Sequence, residues 1–228
     1  MNFTRKSFRF LATKSSGEVG AILMQPEKAE WLMVLAHGAG AGMQNKFMEK
    51  ISIELVNNGI ASFRYNFPYM EHGKKSPDPK PIILMTIRSA VEAAAKILPG
   101  IPILAGGKSF GGRMTSTADS ENHLINIKGI VFFGFPLHPP GKPSAERAEH
   151  LFKVSVPMLF LQGKRDSLAD LKLLKPICKK LGTRAHLHII EGANHSFHMP
   201  KSSGINDDDV IKELAEKVKE WAVKLIKL

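Results

Sequence analysis

The stretch "GGKSFGGR", residues 106–113, sets Ser109 between two glycines in the spacing G-x-S-x-G, with a further glycine on either side. Such a serine is either a nucleophile held on a sharp turn or a polar residue in a flexible loop. The spacing alone does not decide, so the flanking sequence must. Before it stands "IPILAGG", a short apolar run of the kind that forms a strand buried on both faces. After it, "GRMTSTADSE" can continue as a helix from just beyond Ser109 to about residue 121. The serine therefore falls on a direct strand-to-helix turn, which forces its oxygen out into the open. Gly107 and Gly111 leave room where side chains would clash across that turn.

The rhythm extends outward in both directions. Strands are expected at "SFRFLA", "VGAILMQ", "EWLMVLA" and "IASFRYNF" before the turn, and at "IKGIVFFGFP", "VPMLFLQG" and "AHLHIIEG" after it. Helical periodicity marks residues 45–58, 82–98, 144–152 and 168–181. "PYMEHGKKSPDPKP" reads as an irregular loop. The C-terminal segment puts Ile211, Leu214, Val218, Trp221, Leu225 and Leu228 on one stripe, with "DDD" at 207–209 opening the helix and lysines closing it. Strands alternating with helices argue for an α/β fold, a mainly parallel sheet with helices on both faces. No repeat or linker divides the chain, so a single domain over 1–228 is expected.

Bulk properties narrow the function. The 228 residues are 43% hydrophobic and 23% charged, which is ordinary for a globular protein, and no stretch approaches a membrane span. With no secretory leader and a single cysteine, Cys178, a cytoplasmic protein without disulfides is expected. The net charge of +11 is spread along the chain and accompanies no nucleic-acid-binding motif, so no specific nucleic acid is expected.

Ligands of open parallel sheets bind outside the carboxyl ends of the strands. Four strand ends carry reactive residues: "HGAGAGM" at 37–43, "GGKSFGG" at 106–112, "GKRD" at 163–166 and "GANH" at 192–195. A serine hydroxyl needs a base to become nucleophilic, and His195 is the best placed. Asp166, one loop earlier, can hold that imidazole in the right tautomer. Asp170 is its rival but is expected to face away on the next helix. The amide of Phe110, with that of Ala39 or less favourably Gly40, would hold an oxyanion. His37 is expected to shape the oxyanion turn, while His186 and His188 alternate on a solvated strand face. His198 lies three residues past His195, yet no cysteine or carboxylate cluster completes a metal site, and neither metal nor cofactor is expected.

Together "HGAGAGM", "FRYNFPYMEHGKKSPD", "GGKSFGGRM", "FPLHPPGKP" and "GANHSF" resemble the α/β-hydrolases over essentially the whole chain. More narrowly, they are similar to small predicted bacterial hydrolases akin to dienelactone hydrolases, and distantly to testis-expressed and histone-acetyltransferase-complex proteins of animals. The resemblance implies an eight-stranded, mostly parallel sheet and a Ser109–Asp166–His195 triad. Dienelactone hydrolases use a cysteine nucleophile where this chain has Ser109, so their chemistry does not carry over. Larger members insert a lid between the sixth and seventh strands; here "PLHPPGKPSAERAEHLFKVS" leaves room for one short helix, hence a minimal lid. The expected function is a serine hydrolase acting on a small-molecule carboxylic ester or thioester. The alternative is a non-catalytic interaction module of the same fold. Met43, Phe67, Tyr69, Met70, Phe135 and Leu137 are expected near the mouth, as an acyl pocket. Lys108, Arg113, Arg147, Lys164 and Arg165 gather by sequence near the same loops and suggest a preference for anionic substrates.

Overall fold

The computed structural model describes residues 2–226. Eight strands form one sheet: β1 (Phe3–Thr13), β2 (Gly17–Pro26), β3 (Trp31–Ala36), β4 (Ile60–Tyr65), β5 (Ile103–Lys108), β6 (Ile127–Phe133), β7 (Met158–Gly163) and β8 (Ala185–Ile190). Their spatial order is β1-β2-β4-β3-β5-β6-β7-β8. Only β1 with β2 and β2 with β4 pair antiparallel; every other pair is parallel. This is the α/β-hydrolase fold.

The uninterrupted apolar runs follow from burial on both sides. Along β3, Leu32, Val34 and Ala36 face one core, while Trp31, Met33 and Leu35 face the other. β6 and β7 divide their side chains in the same way, Phe132 and Phe160 to one side and Phe133 and Leu161 to the other. The first core is covered by α3 (Lys80–Ile97), α4 (Phe110–Glu121) and α5 (Leu171–Leu181). The second lies under α1 (Lys46–Asn57) and α6 (Asp207–Leu225), whose buried stripe includes Ile211, Leu214, Val218 and Trp221. Leu225 packs partly buried on it, and Leu228 lies outside the described residues. α6 opens with Asn206 accepting from the Asp209 amide, and three aspartates sit in its first turn, where the helix dipole favours them.

Three of the differences from expectation have a local reason. The loop after β4 contains a turn of helix, α2 (Pro68–Glu71), because Pro68 presets the first helical position. The helix expected from 168 starts at Leu171, because the Asp170 side chain caps it by accepting from the Lys172 amide. Asp170 is thus an N-cap, not a residue of the helix face. Between β6 and β7, the short helix is 3₁₀, Glu146–Lys153, and no larger lid covers that edge. His188 is less solvated than expected, since it bonds Glu213 of α6 at 2.7 Å.

Candidate active site

β5 delivers Ser109 to the carboxyl edge of the sheet. Its amide extends the ladder by donating to the Phe133 carbonyl at 3.1 Å, and the chain then turns at once into α4. The turn places Ser109 at φ +50° and ψ −114°, a sparsely populated conformation for a residue with a side chain. What makes the turn so tight is contact with β3. A Cβ added at Gly107 would lie 2.1 Å from the Ala36 carbonyl oxygen, and one at Gly111 would lie 2.4 Å from the same atom. Gly107→Ala or Gly111→Ala must therefore push β3 away from β5 or α4. We expect either to cost roughly 3 kcal/mol or to prevent folding, read as a shifted urea midpoint at unchanged slope.

His195 arrives from the loop after β8. That loop is organised by Asn194, whose side-chain oxygen accepts from the amides of Ser196 and His198. His195 Nε2 lies 2.8 Å from Ser109 Oγ, and its Nδ1 lies 2.7 Å from Asp166 Oδ2. The Asp166 side chain has no exposed surface, whereas that of His195 is 20% exposed, so the imidazole can be reached from solvent. Asp166 accepts two further bonds, from Gln162 Nε2 and from the Leu168 amide at 2.7 Å. Gln162 is itself held, its Oε1 accepting from the Phe135 amide at 2.9 Å. Main-chain bonds from Lys164 to Ile190 and from Arg165 to Ala193 tie the Asp166 loop to the His195 loop. A carboxylate, imidazole and hydroxyl in one line can pass a proton from oxygen to nitrogen while the buried charge steadies the cation formed.

Two participants escaped the sequence reading. Gln162 is one; a lone amide inside the apolar run "MLFLQG" was its signal. Lys108 is the other, expected from the sequence only as one of five cations favouring an anionic substrate. Its Nζ donates to the His195 carbonyl at 2.6 Å and sits over the rings of Phe47 and Phe197, at 5.6 and 5.2 Å. Burial there lowers its pKa to about 8, opposed by the charge of Asp166. The residue before Ser109 thus clamps the loop that carries His195.

The turn after β3 lies beside Ser109, with the Cβ position of Gly38 3.7 Å from the Lys108 carbonyl. A bond from the Ala41 amide to the Gly38 carbonyl closes that turn, and Gly40 occupies its positive-φ position at +68°. The Gly40 amide donates to Tyr69 Oη at 3.1 Å and is therefore engaged. Among the described residues, the amides of Ala39 and Phe110 have no such partner. His37 is wholly buried beneath the turn: Nε2 accepts from the Phe67 amide at 3.1 Å and Nδ1–H donates to the Gly38 carbonyl at 2.7 Å.

Burial lowers the His37 pKa to about 4, so it stays neutral in the fold. An unfolded histidine titrates near 6.5, so the unfolded chain takes up this proton first as the pH falls. The stability that His37 contributes is complete above pH 6.5 and declines between 6.5 and 4, by up to about 3 kcal/mol. His150, also lowered to about 4 by burial and by Arg113 and Lys80, acts in the same direction. Urea midpoints measured across this range should fall with pH in the wild type and less steeply in His37→Gln.

The expected acyl pocket is corrected by packing. Phe67, Tyr69, Phe135 and Leu137 are fully buried and belong to the core. Phe135 turns inward after Gly134 to meet Phe132 at 5.1 Å and Phe160 at 5.9 Å. Phe67 supports His37 and Phe110 from below, and Tyr69 fixes the Gly40 amide. Met43 packs near Gly20 beside Ile22, Met24 and Val56. The four buried side chains cannot line an open pocket, while Met43 and Met70 keep part of their surface exposed.

A second serine–histidine contact is of another kind. Ser116 Oγ and His150 Nε2 are 2.8 Å apart, but Ser116 is wholly buried and its hydroxyl lies 2.9 Å from the Arg113 carbonyl of its own helix. Among the described residues, no carboxylate pairs with His150. Among the described residues no three His, Cys, Asp or Glu side chains are grouped to hold a metal ion. No described helix is long and apolar enough to cross a membrane.

Comparison with known proteins places this geometry in context. A family model described as an alpha/beta hydrolase domain matches residues 29–223. The structure resembles a dienelactone hydrolase from Anabaena variabilis, with 16% identity, a TM-score of 0.75, and 98% of this chain and 99% of that one covered. It also resembles an α/β serine hydrolase without a lid from Xanthomonas campestris, with 18% identity, a TM-score of 0.74, and coverage of 95% and 94%. An esterase domain from a Rhodothermus marinus protein matches with 16% identity, a TM-score of 0.71, and coverage of 96% and 98%.

Proposed function

Because this chain belongs to the alpha/beta hydrolase family, we propose that it is a serine hydrolase that cleaves a carboxylic ester or thioester of a small molecule. The observation that carries the reading is the unbroken line from Ser109 Oγ through the His195 ring to the buried Asp166. The structurally similar proteins named as esterases and serine hydrolases support it.

In this mechanism Ser109 Oγ attacks the acyl carbonyl carbon as His195 Nε2 removes the hydroxyl proton. The resulting oxyanion accepts hydrogen bonds from the amides of Phe110 and Ala39. Such donors act most strongly when fixed beforehand, and the start of α4 and the Gly38–Ala41 turn hold these in place. Collapse of the intermediate breaks the bond to the leaving oxygen or sulfur, which takes the proton from His195. Water then gives a proton to His195 and its oxygen to the acyl carbon, and the acid leaves as Ser109 regains its hydrogen. Asp166 keeps Nδ1 protonated and stabilises the imidazolium formed in each step. The mostly exposed loop 140–145 before the short 3₁₀ segment suits a substrate that enters directly from solvent.

The test needs no knowledge of the substrate. Folded protein is treated with a fluorophosphonate, digested, and the adduct located by mass spectrometry. Labelling at Ser109 that disappears in His195→Ala is the expected result. Folded protein that takes no label would sink the hydrolase reading and leave a binding scaffold.

A further inference from the structure

Of the five cations expected near the catalytic loops, three are engaged elsewhere. Lys108 holds the His195 carbonyl, Lys164 pairs with Glu191 at 2.6 Å, and Arg165 reaches the Gly192 carbonyl at 3.4 Å. Arg113 and Arg147 remain. Resting on the hydrolase reading above, we propose that these two arginines form a subsite for a carboxylate or phosphate group carried by the substrate, one helical turn from Ser109.

Position comes first. The Arg113 amide donates to the Ser109 carbonyl at 3.1 Å, and its guanidinium carbon lies 5.9 Å from the centre of the Phe110 ring. The charge therefore sits next to the residue whose amide faces the oxyanion. Arg147 stands on the 3₁₀ segment Glu146–Lys153, between β6 and β7. That segment packs on α4 through the 2.8 Å contact between Ser116 Oγ and His150 Nε2, and Arg113 and Arg147 each stand three residues before one of those partners, in agreement with the lowering of the Arg113 pKa by burial and by the charge of Arg147.

Lack of compensation comes second. Arg113 Nε is buried and makes no hydrogen bond. Among the described residues neither guanidinium forms a salt bridge. The other titratable groups nearby do not neutralise them: burial and positive neighbours keep His150 uncharged at neutral pH, and Lys80 pairs with Glu121 at 2.6 Å. Holding two like charges together, partly desolvated and without a counterion, is unfavourable unless an anion arrives. A guanidinium offers parallel donors that match carboxylate and phosphate oxygens. The substrate class that follows is an ester or thioester with an anionic group a short chain away from the scissile carbonyl.

The test compares kcat/KM for mono-4-nitrophenyl glutarate and for its methyl ester, which share leaving group and chain but differ by one charge. Wild type should favour the anionic ester, and Arg113→Met and Arg147→Met should each shrink the ratio by about tenfold or more, mainly through KM. Arg113→Lys should restore part of it. Calorimetric titration with glutarate and with inorganic phosphate reads the same site without turnover and distinguishes the two anions. Binding of either one, weakened in both Met variants, supports the subsite even if fluorophosphonate labelling has failed and the hydrolase reading is lost. Labelling at Ser109 together with equal use of both esters overturns the subsite and leaves the hydrolase intact. Absence of binding by either anion at millimolar concentration overturns it as well.

Discussion

Under the proposed function, Ser109→Ala is expected to lower kcat by roughly a millionfold, since losing the nucleophile of a triad leaves only binding and the oxyanion donors. The fold should survive, because the Ser109 amide, which joins the ladder at the Phe133 carbonyl, is unchanged. A companion variant separates chemistry from structure. Ser109→Gly would be equally inactive, but glycine adopts positive φ without the steric penalty that serine bears at +50°. It should therefore raise the urea midpoint, by an amount corresponding to about 1–3 kcal/mol. An inactive variant more stable than its parent would show strain maintained for the position of one oxygen. If Ser109→Gly proves less stable than Ser109→Ala, the backbone there is not strained.

The second large effect is expected for Asp166→Asn, about 10⁴-fold in kcat. The loss has a structural cause that can be traced atom by atom. Asp166 Oδ1 accepts from the Leu168 amide, so an asparagine oxygen would stay there and its NH₂ would replace Oδ2. That NH₂ would face His195 Nδ1 and Gln162 Nε2, both donors now. His195 can adapt by moving its proton to Nε2, but then it cannot accept from Ser109. Gln162 cannot flip without withdrawing its oxygen from the Phe135 amide. One buried polar contact is lost whichever way the side chains settle, at about 1–3 kcal/mol. The variant should thus lose rate and stability together, measured as kcat and urea midpoint. A fully active Asp166→Asn would show that Asp166 does not orient His195 for the reaction.

Much of this arrangement was legible in the chain. Continuous apolar runs marked strands buried on both faces, and glycines at their ends marked where the backbone leaves the sheet. Ser109, Asp166 and His195 stood out because the topology brings those strand ends to one edge. Side-chain direction was harder to read. Phe135 and Leu137 follow a strand just as a pocket residue would, and only the turn at Gly134 (φ +75°) directs this segment inward. Phe67 resembles an exposed aromatic until His37 and Phe110 are seen packed against it. Lys108 was hardest of all, since the carbonyl that justifies its burial lies 87 residues away along the chain.

The contact between Lys108 and His195 also bears on how this scaffold can be altered. Ser109 and His195 sit on different loops, yet one side chain rivets them together, so the two loops travel as a single component. Anyone transplanting residues 191–199 between related scaffolds, or varying them in a library, would need to carry along the residue ahead of the serine. Otherwise the graft inherits the imidazole without the fastening that aims it.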